Sequence, residues 1–183
     1  MRKLILQSHI SLDGFIADPA GKTDWILLGA APEYVINLAD RCDTILMGRI
    51  MSKGFLDYWE ATFDNPPNGV PVPMAERMVK MRKIIFSRTQ KEIKGRNVEV
   101  ANGDLVATVN ALKNEPGKEL IVYGGANFSS QLIAAGLVDE YHLLINPVAL
   151  GKGLPIFTDR RTLQLTESLT FKNGVIANTY LPK

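Results

Sequence analysis
LIVYGGANFSSQLIAAG, residues 120–136, is the stretch whose reading decides the fold. Leu120, Ile121, Val122 and Tyr123 make a short apolar run rich in β-formers, the mark of a buried parallel strand. Gly124 and Gly125 end it. Phe128, Leu132, Ile133 and Ala135 then recur at helical spacing, and Gly136 closes the helix. The unit is strand, double glycine, helix. Glycine lets a ligand approach the backbone, and the free N–H groups of a helix start, with its positive dipole end, favour an anion such as a phosphate. A tight strand-to-helix turn that binds nothing has the same pattern.

The unit recurs upstream. DTILM, residues 43–47, reads as a second buried strand, followed at once by Gly48-Arg49 and a helix from Ile50 to about Tyr58. Around these two units, Leu4, Ile5, Leu6, Ile10 and Leu12 mark a first, central strand. Asp13-Gly14 marks a turn or a bulge, Phe15-Ile16-Ala17 resumes extended chain, and residues 18–24 form a polar loop ending at Trp25. Helices are expected over residues 32–39 and 74–80, with Pro32 suited to a first turn. The proline-rich residues 64–73 read as a surface loop. KIIFS, residues 83–87, and residues 97–101 read as strands, and Asp104 as the cap of a helix reaching Lys113. After Gly136 come a strand over 138–146, a loop over 147–153 and an extended piece over 154–157. Two last strands bracket Asn173-Gly174, a hairpin signal. Alternating strands and helices followed by antiparallel strands predict an α/β fold. Its central sheet is mostly parallel and flanked by helices, with an antiparallel C-terminal edge, in a single domain spanning residues 1–183.

Composition narrows the function. The net charge of +2 and the scattered basic residues argue against nucleic acid or an anionic membrane as partner, and no apolar run is long enough for a membrane span. Cys42 is the only cysteine, which fits a reducing cytoplasm. The apolar run after Met1-Arg2-Lys3 is broken by Gln7, Ser8 and His9 and reads as a strand, not a signal peptide. His9 and His142 are the only histidines, and no carboxylate or cysteine cluster has ligand spacing, so no metal is expected. What remains is two glycine turns at carboxyl ends of expected strands, where open α/β sheets bind ligands. Gly48-Arg49 and Gly124-Gly125 are candidates for the two sides of one phosphate-bearing ligand. Arg49, Ser87 and Arg88 would lie at neighbouring strand ends and favour the 2′-phosphate of NADP over the bare ribose of NAD. A set of solvated surface charges is the plainer alternative.

At these residues the chain resembles the dihydrofolate reductase superfamily, and more closely the stand-alone relatives of the riboflavin-biosynthesis reductase domain. The markers are SLDGFIA at 11–17, Trp25, ILMGR at 45–49, IIFSR at 84–88, VYGGANF at 122–128 and PVALGKGLPIF at 147–157. The resemblance implies a dihydrofolate reductase-like fold, NADPH as cofactor and hydride transfer to a small heterocycle. It also implies a homodimer. It assigns the nicotinamide carboxamide to main-chain groups of His9 and Ile16, with Ala17 beside them. The 2′-phosphate goes to Arg49 with Ser87, and the pyrophosphate to the turn Gly124, Gly125, Ala126 and Asn127. Tyr123 is placed near the nicotinamide or in the core, and the loop ending at Trp25 over the nicotinamide. The catalytic group is unknown. Asp13 and Glu33 are the carboxylate candidates for facing substrate, with Trp25. Met51 stands where a threonine is usual, and the acidic residue of dihydrofolate reductases has no aligned counterpart beyond Glu33. Reduction of a riboflavin-pathway pyrimidine is therefore expected ahead of a folate or pterin. A silent NADPH-binding sensor and a structural dimer with an empty cleft are the readings from other classes.

Overall fold
The computed structural model describes residues 1–29, 31–69 and 72–183. The chain opens with strands β1 (Leu4–Ile10) and β2 (Phe15–Ala17), helix α1 (Pro32–Asp40), strand β3 (Cys42–Gly48) and helix α2 (Arg49–Asp64). A single 3-10 turn (Pro67–Gly69) leads to helix α3 (Pro73–Lys80), strands β4 (Arg82–Phe86) and β5 (Val98–Ala101), and helix α4 (Leu105–Asn114). Strand β6 (Glu119–Val122) and helix α5 (Ala126–Ala134) follow. Strands β7 (Glu140–Ile145), β8 (Leu154–Pro155), β9 (Leu163–Thr170) and β10 (Ile176–Pro182) complete the order. Strands hydrogen-bond in the runs β5-β4-β3 and β1-β7-β10-β9, and β2 pairs with β8. The fold is α/β, with a mostly parallel sheet and antiparallel C-terminal strands, as the sequence leads one to expect.

The residues group into two compact units. One contains residues 1–2 and 33–121. In it β3 pairs with β4 and β4 with β5, all parallel, with Gly48 opposite Phe86 at the carboxyl ends. Ile45, Leu46, Met47 and Ile85 are fully buried. Each such side chain stabilises the fold by roughly 1.5–3 kcal/mol relative to exposure. Side chains close several ends here. Asp104 caps α4 by accepting from Ala107 N (2.9 Å). Lys83 is 1% exposed, yet its Nζ donates to Val79 O (2.9 Å), Met81 O (2.7 Å) and Arg96 O (3.0 Å). Burial lowers its pKa to about 8, and three carbonyl acceptors compensate the buried ammonium. Arg77, in the last turn of α3, holds Asp40 at the end of α1 through two bonds of 2.6 and 2.7 Å.

The other unit contains residues 3–32 and 122–183. Here β1 runs parallel to β7, β7 antiparallel to β10, and β10 antiparallel to β9. β1 is buried along nearly its whole length, as expected of a central parallel strand. The apolar periodicity of residues 126–137 ends as its glycine requires. Gly136 sits at φ 67, its N–H bonds to Ile133 O, and Leu137 N–H reaches back to Leu132 O. That is the paired closure of a Schellman end.

Some boundaries differ from expectation. β1 stops at Ile10, and Leu12 is 70% exposed, because residues 11–14 turn back on themselves: Gly14 N–H bonds to Ser11 O and Gly14 lies at φ 88. α2 continues past Tyr58 to Asp64, since nothing before Pro66 interrupts it. Asp64 and Pro73 therefore belong to helices; Val70 and Pro71 of the expected loop lie outside the described residues. Ser87 and Tyr123 each fall just beyond their strands, and residues 138–139 and 146 beyond β7.

Candidate active site
In the first unit, the register of β3 and β4 puts Arg49 and Ser87 side by side as the chains leave the sheet, one residue past the Gly48–Phe86 pair. Gly48 is the N-cap of α2 and offers no side-chain cap, so the first N–H groups of a sixteen-residue helix stay uncapped. Arg49 is exposed and forms no ion pair or side-chain hydrogen bond among the described residues. Ser87 is 8% exposed; its Oγ accepts from Thr89 N (3.3 Å) and Gln90 N (2.9 Å), which leaves its hydroxyl proton to donate. Asn102, at the end of β5, fixes this turn by donating to Ser87 O and Gln90 O, both at 2.7 Å. Arg88 is exposed beside it. A fork-shaped cation, a hydroxyl donor and an uncapped helix start are what an exposed phosphate monoester needs. Glu33, in the first turn of α1, is exposed.

In the second unit, Gly124 (φ 118) and Gly125 (φ 85) make the turn into α5. A Cβ on Gly124 would lie 3.3 Å from Ile16 Cδ1, so the turn sits directly on β2. Gly125 caps α5 without a side-chain bond, and the helical ladder starts only at Ser129 N–H to Gly125 O, leaving the N–H groups of Ala126 and Asn127 unused by the helix. Ile16 and Ala17 are buried, and β2 is held by β8. Gly153, just before β8, cannot carry a side chain: a Cβ there would lie 2.3 Å from Ala17 O.

Asp13 anchors the loop at 147–153. Its carboxylate accepts from Ser11 Oγ (2.6 Å), Leu150 N (3.1 Å) and Gly151 N (2.7 Å). The Ser11 hydroxyl, then the Leu150 amide, hold its pKa down to about 2. At neutral pH it carries no proton and acts as a fixed anion, not as an acid. His9, next to the end of β1, has its pKa lowered to about 4 by burial and is neutral. Trp25 has its indole N–H buried and without a partner among the described residues. Asn146, fully buried, was not singled out by sequence reasoning. It accepts from Leu27 N (3.0 Å) through Oδ1 and faces His9 Nδ1 (3.3 Å) through Nδ2. Its only sequence signal is a polar residue before Pro147 at the end of an apolar strand.

Superposition on solved structures shows that the chain has the dihydrofolate reductase-like fold. The coordinates superpose on dihydrofolate reductase from Enterococcus faecalis complexed with NADP(H) at TM-score 0.65 and 15% identity, covering 99% of this chain and 96% of that one. They also superpose on a crystal structure from Shewanella sp. PV-4 named for riboflavin biosynthesis, at TM-score 0.74 and 23% identity, covering 99% of both chains. The family model of the RibD C-terminal domain matches residues 2–177, and the chain belongs to that family. It is also 37% identical over 185 residues to the uncharacterized protein YyaP of Bacillus subtilis, covering 98% of this chain and 94% of that protein.

Proposed function
We propose that this protein is an NADPH-dependent reductase that delivers hydride to a small heterocycle of the riboflavin-pathway pyrimidine type, 5-amino-6-(5-phosphoribosylamino)uracil being the model acceptor. Membership of the RibD C-terminal domain family supports the reaction class. The observation that carries the cofactor choice is Arg49 beside Ser87, a guanidinium without an ion-pair partner among the described residues next to a hydroxyl with a proton to give. These two, with Arg88 and the Gly48 turn, are assigned to the adenosine 2′-phosphate. Gly124, Gly125, Ala126 and Asn127 are assigned to the diphosphate. The main chain of His9 and Ile16, with Ala17 and Tyr123 beside it, is assigned to the nicotinamide.

When bound, the nicotinamide supplies the hydride; the chain's own part is to orient and to exclude water. Asp13, ionised and tied to Leu150 and Gly151, holds the loop beside β2 and donates no proton. Trp25 and Glu33 remain the substrate-side candidates, and the proton required at the acceptor comes from water. A cytoplasmic homodimer belongs to the same proposal, and light scattering on the purified protein checks the dimer.

Arg49→Ala tests the reading. NADPH affinity is expected to fall by roughly ten- to a hundredfold, the loss of one charge-assisted phosphate contact of about 1.5–3 kcal/mol, while NADH affinity stays nearly constant. Equal loss for both cofactors would remove Arg49 from the site. Tight NADPH binding with no turnover of the pyrimidine or of dihydrofolate would favour a sensor.

A further inference from the structure
Asn146 joins the end of β1, the end of β7 and the loop carrying Trp25 through a single polar side chain. It is fully buried. Its Oδ1 accepts from the backbone N–H of Leu27 (3.0 Å), a group that can only donate. Its Nδ2 lies 3.1 Å from Leu144 O and 3.4 Å from Ile10 O, groups that can only accept. These backbone partners fix which end of the amide is oxygen and which is nitrogen, with no freedom to flip. Ile10 O already takes the backbone N–H of Asn146 at 2.8 Å. The two amide protons are shared among Leu144 O, Ile10 O and His9 Nδ1 at 3.3 Å, and because an amide nitrogen only donates, Nδ1 can meet it only as an acceptor.

A donor aimed at Nδ1 requires a lone pair there. A neutral imidazole with a lone pair on Nδ1 carries its proton on Nε2. The ring is neutral across the physiological range, because burial brings its pKa to about 4. Nε2 makes no hydrogen bond among the described residues, and it is not among the sealed polar atoms of this structure. His9 is only partly buried. A neutral N–H of fixed direction thus stands at the carboxyl end of a central parallel strand, where ligands of open α/β sheets bind.

We infer that Asn146 is a positioning residue which locks His9 as a neutral Nε2–H donor, and that this donor receives a heterocycle presenting a carbonyl oxygen or a ring nitrogen. The inference deepens the reductase reading, in which the main chain of His9 serves the nicotinamide, by giving its side chain a separate role. The acceptor atom has two sources, the carboxamide of the nicotinamide or the oxygen of a pyrimidinedione substrate. Because Asn146 also holds Leu27, it ties the loop bearing Trp25 to the same donor.

The chain has two histidines, so imidazole nitrogen resonances can be assigned with a His9→Gln variant. In the wild type, His9 is expected to show an unprotonated Nδ1 and a protonated Nε2, unchanged from pH 8 to pH 6. Asn146→Ala should give averaged nitrogen shifts with the protein still folded by circular dichroism. The opposite tautomer, or a ring titrating near pH 6.5, overturns the lock. If Asn146→Ala does not fold, the wild-type tautomer and titration decide that point alone.

NADPH and uridine are then added separately to the wild type, and the ligand that engages the donor should move the Nε2 resonance. His9→Phe, which keeps the ring and loses the donor, should weaken that ligand about tenfold, the worth of one ordinary hydrogen bond. His9→Gln, which keeps an N–H at the Nε2 place, should stay within about threefold by the same reckoning. Failure of NADPH to bind the wild type refutes the reductase reading but leaves uridine to test the donor. A resonance that neither compound moves overturns the ligand role even where the lock is seen.

Discussion
The ring of His9, near the end of β1, makes folding stability depend on pH. Burial lowers its pKa from 6.5 to about 4, so the folded state resists protonation that the unfolded chain accepts. As pH falls below 6.5, the unfolded state binds the extra proton first, and stability declines until pH passes below the folded value. The full loss between those limits is about 3 kcal/mol, because a tenfold change in proton affinity corresponds to about 1.4 kcal/mol. Denaturant midpoints measured from pH 7 to pH 4 should fall in the wild type and fall less in His9→Gln. Asp13 acts in the same direction at lower pH, since its contribution is present above its ordinary value of 3.8 and is lost as pH drops through about 2. Arg49 and Ser87 were legible in the sequence because each ends an apolar run at a carboxyl end, and adjacent parallel strands bring such ends together. Asn146 was not legible, because its role depends on Leu27 and His9, 119 and 137 residues away.

Among the elements, the strand–glycine–helix units were readable because periodicity changes from strand to helix at a glycine. The extent of α2 was not, since Trp59, Glu60 and Phe63 carry no stop signal and its end is set by the prolines beyond Asn65. β2 and β8 fall within the extended pieces expected at 15–17 and 154–157, but their pairing was not legible; it exists because Gly153 lets the two segments close to contact. Two glycines in this fold give opposite expectations. Gly153→Ala drives a Cβ to 2.3 Å from Ala17 O and against the Phe15 side chain, and should cost about 2–4 kcal/mol. Gly54, inside α2, has nothing within 4 Å of its Cβ position. Gly54→Ala should stabilise by about 0.5–1 kcal/mol through helix propensity. Thermal melts of both variants, run beside the wild type, check the pair of signs.

At the scale of the whole molecule, strand order could not be read from the sequence, because parallel strands carry no mark of their neighbours. β1 is first in the chain but pairs with the distant β7, Ile5 lying opposite Glu140. Its unit is built from residues 3–32 and 122–183, with residues 33–121 belonging to the other unit. A chain stopped after Ile121 should therefore keep the parallel pairing of β3, β4 and β5 but leave β1 without β7. Binding of a hydrophobic dye by that fragment, absent from the full chain, checks this. The same arrangement has a consequence during synthesis. Leu4 meets Asp139, its hydrogen-bond partner 135 residues away, only after most of the protein has been made. At about 5–20 residues per second, the apolar start of the chain waits on the order of ten seconds for that partner at the ribosome. Until translation delivers β7, the apolar strand β1 is left without the parallel partner it has in the folded protein.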